Sequence, residues 1–182
     1  FVRTFNDTTS NAVASAKYCS VDPNTNRPIL GVMNINLAYW KLVGEDDIDA
    51  TSEVMNHETF HAMGFSGSML SYLANPISIN MTYYTKSGTY KNTTTIVSPT
   101  VKAYAVKQFN CSSAVGLQFE NEGGSGTAGS HWEKTVMGFD MMTGVQNYKM
   151  MISVATLGFF QDTGFYIVDM TQAADTPWGL NE

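Results

Sequence analysis

Positive charge is scarce in this chain: 10 Lys and Arg face 16 Asp and Glu, leaving a net charge of -6 at pH 7. No Lys/Arg cluster offsets that deficit, and such a surface repels phosphate, which argues against nucleic acid as a partner. Long apolar runs are missing as well. The best, Met150 to Phe160, is about half the length a bilayer requires and is broken by Ser153 and Thr156, so no transmembrane segment is expected. A basic-then-apolar leader is absent too, and the chain opens at Phe1 without an initiator Met, as a processed or trimmed product would. Internal repeats and low-complexity blocks are lacking. Cysteine is limited to Cys19 and Cys111, neither of them in a close-spaced metal motif. Histidine is rarer than bulk composition would scatter it, with 3 in the chain, so the positions of those three carry information.

What is present is the material of a globular domain. The 182 residues are 43% hydrophobic and 12% aromatic, enough for one domain with a real core. Ala12 to Cys19 reads as a strand, Asp22-Pro23-Asn24-Thr25-Asn26 as a turn, and Ile29 to Leu37 as the strand that completes a hairpin. Glu45, Asp46, Asp47 and Asp49 then precede an apolar helical pattern, where carboxylates suit the positive end of the helix dipole. Ile48, Val54, Met55, Thr59 and Met63 form the buried side of that helix, and Gly64 is placed as its left-handed C-cap.

The texture changes after Gly64. Residues 65–97 are rich in Ser, Thr, Asn, Gly and Tyr, and only short elements are expected there. Ser98-Pro99 reads as an N-cap with Pro at the first helical position, opening a helix to about Phe109. Residues 121–130 form a glycine-rich loop, and a helix from about Gln146 to Asp162 ends before Gly164. The expected class is α+β. A first part, 1–64, holds the hairpin and a helix, and a second, 65–182, is irregular with helices.

The sharpest signal is His57-Glu58-Thr59-Phe60-His61. On a helix, positions i and i+4 share a face about one turn apart, so two imidazoles converge on one metal ion. Glu58 is rotated by about 100 degrees from His57, the disposition of a general base acting on water in a metalloprotease. Two surface histidines with an accidental Glu between them is the bland alternative, and the rarity of the five-residue pattern weighs against it. Catalytic zinc usually takes three protein ligands. The short metzincin motif places the third His six residues after the second, but Gly67 stands there. His131, directly after the glycine-rich loop, is the remaining candidate. A lone distant His is more often a core or surface residue. Being the sole candidate for an incomplete site shifts the balance toward ligation, and it gives the small residues of the loop a purpose.

The segments HETFHAMGFS and ENEGGSGTAGSHWE, with a Met eleven residues after the second segment's His, resemble the leishmanolysin (M8) family of metzincins. The likeness continues through Phe159-Phe160-Gln161-Asp162-Thr163-Gly164-Phe165-Tyr166 and Pro177-Trp178-Gly179. It implies a zincin fold with an N-terminal sheet, an active-site helix and an irregular C-terminal subdomain, all in one catalytic domain and one zinc per chain. Carried over residue by residue, His57, His61 and His131 match the zinc ligands, Glu58 the catalytic base and Met142 the Met of the turn beneath the zinc. The family commonly follows that Met with Ala-Pro, where this chain has Thr143-Gly144.

The function implied is a zinc endopeptidase acting on protein or peptide substrates. Water activated by Glu58 attacks a peptide carbonyl, with the substrate extended along the edge of the strand ending at Cys19 and an apolar residue favoured after the cut. The alternative is a catalytically silent structural or adhesive protein that keeps the fold. The family also implies the secretory pathway, with the protein extracellular or on the cell surface. Asn6, Asn80, Asn92 and Asn110 head N-x-Ser/Thr sequons, a pattern that chance nearly produces in a chain of this composition. By the family layout Cys19 and Cys111 stand too far apart to join. Each would instead pair with a cysteine outside this stretch, Cys19 upstream of Phe1 and Cys111 just beyond the Pro-Trp-Gly segment. The resemblance thus implies a fragment of a longer chain.

Overall fold

A computed structural model describes residues 1–40, 48–73, 77–84, 88–146 and 149–180. The architecture is mixed α and β, in two compact units, Phe1–Phe65 and Ser66–Glu182. In the first unit, strands β1 (Val2–Phe5), β2 (Ala14–Val21) and β3 (Pro28–Asn36) form a sheet in the order β1-β3-β2. β3 is central, parallel to β1 and antiparallel to β2, and it supplies the buried Val32, Met33 and Ile35. All four residues of β1 are exposed, so no apolar alternation betrays this strand in the sequence; backbone pairing with β3 makes it.

The β2–β3 turn is built by side-chain bonding. Asp22 Oδ1 accepts from the N–H of Asn24 at 3.0 Å and of Thr25 at 2.8 Å, and Asn26 adopts φ 60°. Cys19 is the extra residue of a β-bulge, since Tyr18 faces Gly31 and Ser20 faces Leu30. Asn36, fully buried, donates from Nδ2 to the carbonyls of Asp7 at 2.8 Å and Ala12 at 3.1 Å, tying the long β1–β2 connection to the end of β3.

Two helices follow, α1 (Leu37–Trp40) and α2 (Ile48–Ala62). Glu45, Asp46, Asp47 and the side chains of Ile48 and Asp49 lie outside the described residues. α2 packs on the sheet at Gly31, where a Cβ would come within 2.8 Å of the Ala62 Cβ. Its buried positions differ from those expected. Glu58 and His61 are buried, Val54, Met55 and Met63 are half-buried, and Thr59 is exposed, its hydroxyl donating to the Met55 carbonyl at 2.7 Å. Polar groups thus occupy the side that an apolar stripe usually takes.

The second unit carries a sheet of its own. β4 (Ser78–Tyr84) and β5 (Tyr90–Ile96) pair antiparallel along their whole length, and β6 (Leu117–Gln118) adds to β5. Residues 65–97 are therefore more regular than their composition suggests. The threonines of β5 read as loop texture, yet they are β-branched and suit a pleated surface, with Thr93 and Thr95 turned inward and buried.

Among the described residues this unit also carries the α-helices α3 (Pro99–Gln108), α4 (Lys134–Met137) and α5 (Val154–Asp162). Ser98 precedes α3, but its side chain makes no cap bond, and its buried hydroxyl has no partner among the described residues. Asp162 caps instead from the end of α5, accepting from Thr100 N at 2.8 Å and Thr100 Oγ1 at 2.6 Å. α5 is shorter than the pattern from Gln146 suggests. It starts after Ser153, whose hydroxyl accepts from Thr156 N at 3.2 Å, because Met151 is already committed to a bridge with Asp140. Phe119, Trp132 and Phe159 meet edge-to-face or tilted at 5.2 to 6.3 Å at the centre of the unit. Such pairs contribute about 0.5–1.5 kcal/mol each beyond area burial.

Candidate metal centre

α2 brings His57 and His61 together. Their Nε2 atoms lie 3.0 Å apart and the rings meet edge-on. Two nitrogens at about 2.0–2.1 Å from a tetrahedral zinc would stand about 3.3 Å apart, so the pair is close to ligand spacing.

The end of α2 orients the second ring. Gly64 N donates to His61 O at 3.0 Å and Phe65 N to Phe60 O at 2.9 Å, the pair of bonds of a Schellman turn, with Gly64 at φ 106°. This turn carries the Phe65 carbonyl back over the helix, where it stands 2.8 Å from His61 Nδ1. A carbonyl only accepts, so Nδ1 carries the proton and the Nε2 lone pair is left to bind a metal.

Glu58 lies between them in sequence and is buried, with its Oε2 unpaired among the described residues. Burial pushes its carboxyl up to about 7. A buried carboxyl oxygen without a donor is costly in a merely structural role. A cation or a metal-held water beside it would remove that cost.

His131 stands in the second unit and is buried. Its Nδ1 donates to the Thr127 carbonyl at 2.9 Å, again leaving Nε2 unprotonated, and burial holds the ring's pKa below the usual value. The glycine-rich stretch before it is ordered by backbone bonds: Gly129 N to Glu120 O at 2.7 Å, Gly67 N to Gly129 O at 2.7 Å and Ala128 N to Gly124 O at 2.9 Å. Glu120 N in turn donates to His131 O at 2.8 Å.

Met142 is fully buried, and its carbonyl accepts from Trp132 N at 2.8 Å, so its turn lies directly against the residue after His131. The departure at Thr143-Gly144 has a steric counterpart. A Cβ on Gly144 would fall 2.2 Å from Thr127 Cγ2 and 3.5 Å from His131 Cγ.

The donor set fits zinc. His57, His61 and His131 each offer one imidazole nitrogen, and the described residues supply no other His, Cys, Asp or Glu group that could hold a metal. The sequon asparagines Asn6, Asn80, Asn92 and Asn110 are all exposed. Cys19 and Cys111 are free thiols, and no helix of the described residues is long and apolar enough to cross a membrane.

Sequence reasoning passed over the residues that hold these side chains. Phe65 and Thr127 act through their backbone carbonyls, for which residue type gives no signal. Asp140, two positions before Met142, was available as a signal: an acidic residue among Phe139, Met141 and Met142 is out of place unless bonded.

The sequence profile of the M8 peptidases, leishmanolysin, matches residues 1–182. A leishmanolysin-like peptidase of Caenorhabditis briggsae is 30% identical over 90% of this chain and 30% of its own length. A leishmanolysin homolog of Crithidia fasciculata is 30% identical over 94% of the chain and 25% of its own length, and the leishmanolysin of Leishmania major 31% over 85% and 24%. The chain thus spans 24% to 30% of the length of these curated relatives.

Proposed function

The chain belongs to the leishmanolysin family of peptidases, and from that footing we propose that it is the metal-binding catalytic part of a zinc endopeptidase. The observation that carries the reading is the α2 pair, two imidazole Nε2 atoms 3.0 Å apart, with the buried carboxyl of Glu58 on the same helix, its Oε2 unpaired among the described residues. His57, His61 and His131 together could hold a metal ion, and they are proposed as the zinc ligands, one zinc per chain. In this reading residues 1–64 and 65–182 are the two subdomains of one metzincin-like catalytic domain, with Met142 in the turn beneath the metal.

Zinc supplies the acidity that lets water ionise near neutral pH and the charge that polarises a carbonyl. Glu58 accepts the proton of the attacking water and returns it to the leaving amine. Its burial suits both steps, because a carboxyl raised toward neutrality takes and gives a proton near the pH of the reaction. The carbonyls of Phe65 and Thr127 keep the His61 and His131 rings in the tautomer that presents Nε2. An extended protein or peptide substrate would pair its backbone with β2, an edge strand of its sheet. Extracellular or cell-surface placement belongs to the same proposal, supported by the exposure of the four sequon asparagines.

Metal analysis and a cleavage assay test this function. The full chain should hold one zinc, lose peptide cleavage on chelation and regain it when zinc is restored. A zinc-loaded, folded chain that cleaves no peptide in an unbiased library would leave the silent scaffold as the better reading.

A further inference from the structure

We propose that Asp140 is a positioning residue for the metal centre, holding His131 and Met142 in place through one buried hydrogen-bond network. This rests on the zinc-peptidase reading above. Asp140 is fully buried, and so are Met142, Ser153, Thr156 and Trp132. Its Oδ1 accepts from Met142 N at 2.7 Å and its Oδ2 from Ser153 N at 3.2 Å. The Thr156 hydroxyl donates to the carboxylate, 2.9 Å from each oxygen, while its own oxygen accepts from the Trp132 indole N–H at 2.9 Å.

Trp132 is the residue next to His131, and its backbone N–H donates to the Met142 carbonyl at 2.8 Å. The network therefore closes on itself. Asp140 grips Met142 directly, Met142 grips the Trp132 backbone, and Thr156 links the Trp132 side chain back to Asp140.

The geometry asks for a carboxylate. Two backbone N–H groups and the hydroxyls of Thr156 and Ser153 converge on the two oxygens, and all of them are donors. An amide in the same place would turn an NH2 group toward at least one of them. Both N–H groups also mark structural turning points, one in the Met142 turn and one at the start of α5, so the carboxylate ties that turn to the helix behind it. Neither zinc nor substrate touches Asp140 in this account. Its effect runs through the placement of His131, as outer partners of metal ligands act in general.

The test uses the full chain with cobalt(II) replacing zinc, whose visible absorption reports the ligand geometry. Cobalt affinity is measured by competition with a chelator, and folding by circular dichroism and melting without metal. Asp140→Asn should weaken cobalt binding on the order of tenfold and shift the absorption band. Thr156→Val should do the same to a smaller degree, and Thr156→Ser, which keeps the hydroxyl, should restore both.

A folded Asp140→Asn with wild-type cobalt affinity and spectrum overturns the proposal, even if its melting temperature falls. Should Asp140→Asn not fold, an unchanged affinity and spectrum in Thr156→Val overturns it equally. A wild-type chain that binds neither cobalt nor zinc defeats the peptidase reading itself and takes the role of Asp140 with it. Wild-type binding with no effect of the substitutions defeats the role of Asp140 alone.

Discussion

His57 and His61 are spaced by the helix that carries them, whereas His131 stands in a loop and is held by residues from several other segments. On α2 the spacing costs nothing beyond the helix, because i and i+4 share a face, and one Schellman turn at Gly64 and Phe65 then fixes the His61 ring. Around His131 the Thr127 carbonyl orients the ring, Glu120 N binds its carbonyl, and the turn of Met142 packs against its neighbour Trp132. Metal ligation built on local periodicity tolerates changes elsewhere in the chain. Ligation built on long-range contacts is exposed to substitutions at residues that never touch the metal.

That contrast is broken most directly at the proposed ligands themselves. His131→Ala and His61→Ala should each lower zinc affinity by more than the roughly 10–100-fold that an outer contact commands, both leaving a folded chain. Chelator competition checks this. If His131→Ala binds zinc as wild type does, His131 has no part in the site and the comparison collapses.

The next effect concerns Glu58 in chelator-treated protein. Its folded-state pKa, about 7, lies above the ordinary value of 4.5. Folded and unfolded chains are both protonated below pH 4.5, so the full stability is present there. Between 4.5 and 7 the unfolded chain releases its proton first, and stability falls by about 3 kcal/mol in all. Asp140 is raised by burial and acts in the same direction, while His131 is lowered and acts in the opposite one. The clean readout is therefore the difference between wild type and Glu58→Gln in denaturant melts across that range. Parallel pH profiles for the two would contradict the burial-driven shift.

Glycine substitutions sharpen the comparison at smaller cost. Gly144→Ala drives a Cβ to 2.2 Å from Thr127 Cγ2. Overpacking of this kind typically costs about 1–3 kcal/mol, and because the Thr127 carbonyl holds His131, metal affinity should fall too. Gly64→Ala forces φ 106° on a residue with a Cβ, at about 1–2 kcal/mol. Its effect should appear mainly in melting temperature, since α2 still sets the spacing of its two histidines. Equal losses of metal affinity at the two glycines would erase the distinction between a local and a long-range half of the site.

The same distinction governs what could be read from the sequence. The HETFH pattern is legible because helix geometry alone converts spacing into convergence, and the Asp22 turn because Asp, Asn and Thr side chains bond their own backbone. The mixed α and β class followed from such local patterns. The sheet of β4, β5 and β6 did not, because its threonines resemble loop composition and only pairing reveals the strands. Ser98 stands at the N-cap of α3 with Pro99 first in the helix, as the sequence predicts, yet the side-chain bond to the first turn comes from Asp162 on another helix. Apolar periodicity runs the buried face of α2 through Thr59, whereas Glu58 and His61 are the residues turned inward. Asp140 stands out in the sequence only as an acidic residue among apolar neighbours, since its partners Ser153 and Thr156 are near only in the folded chain.

Cleavage and zinc content measured together for wild type and Glu58→Gln test the central claim most directly. Zinc should be equal in the two, since Glu58 is not a ligand in this account, while peptide cleavage should be lost in the variant. Wild-type cleavage by Glu58→Gln, or a wild type purified at neutral pH without zinc, would contradict it.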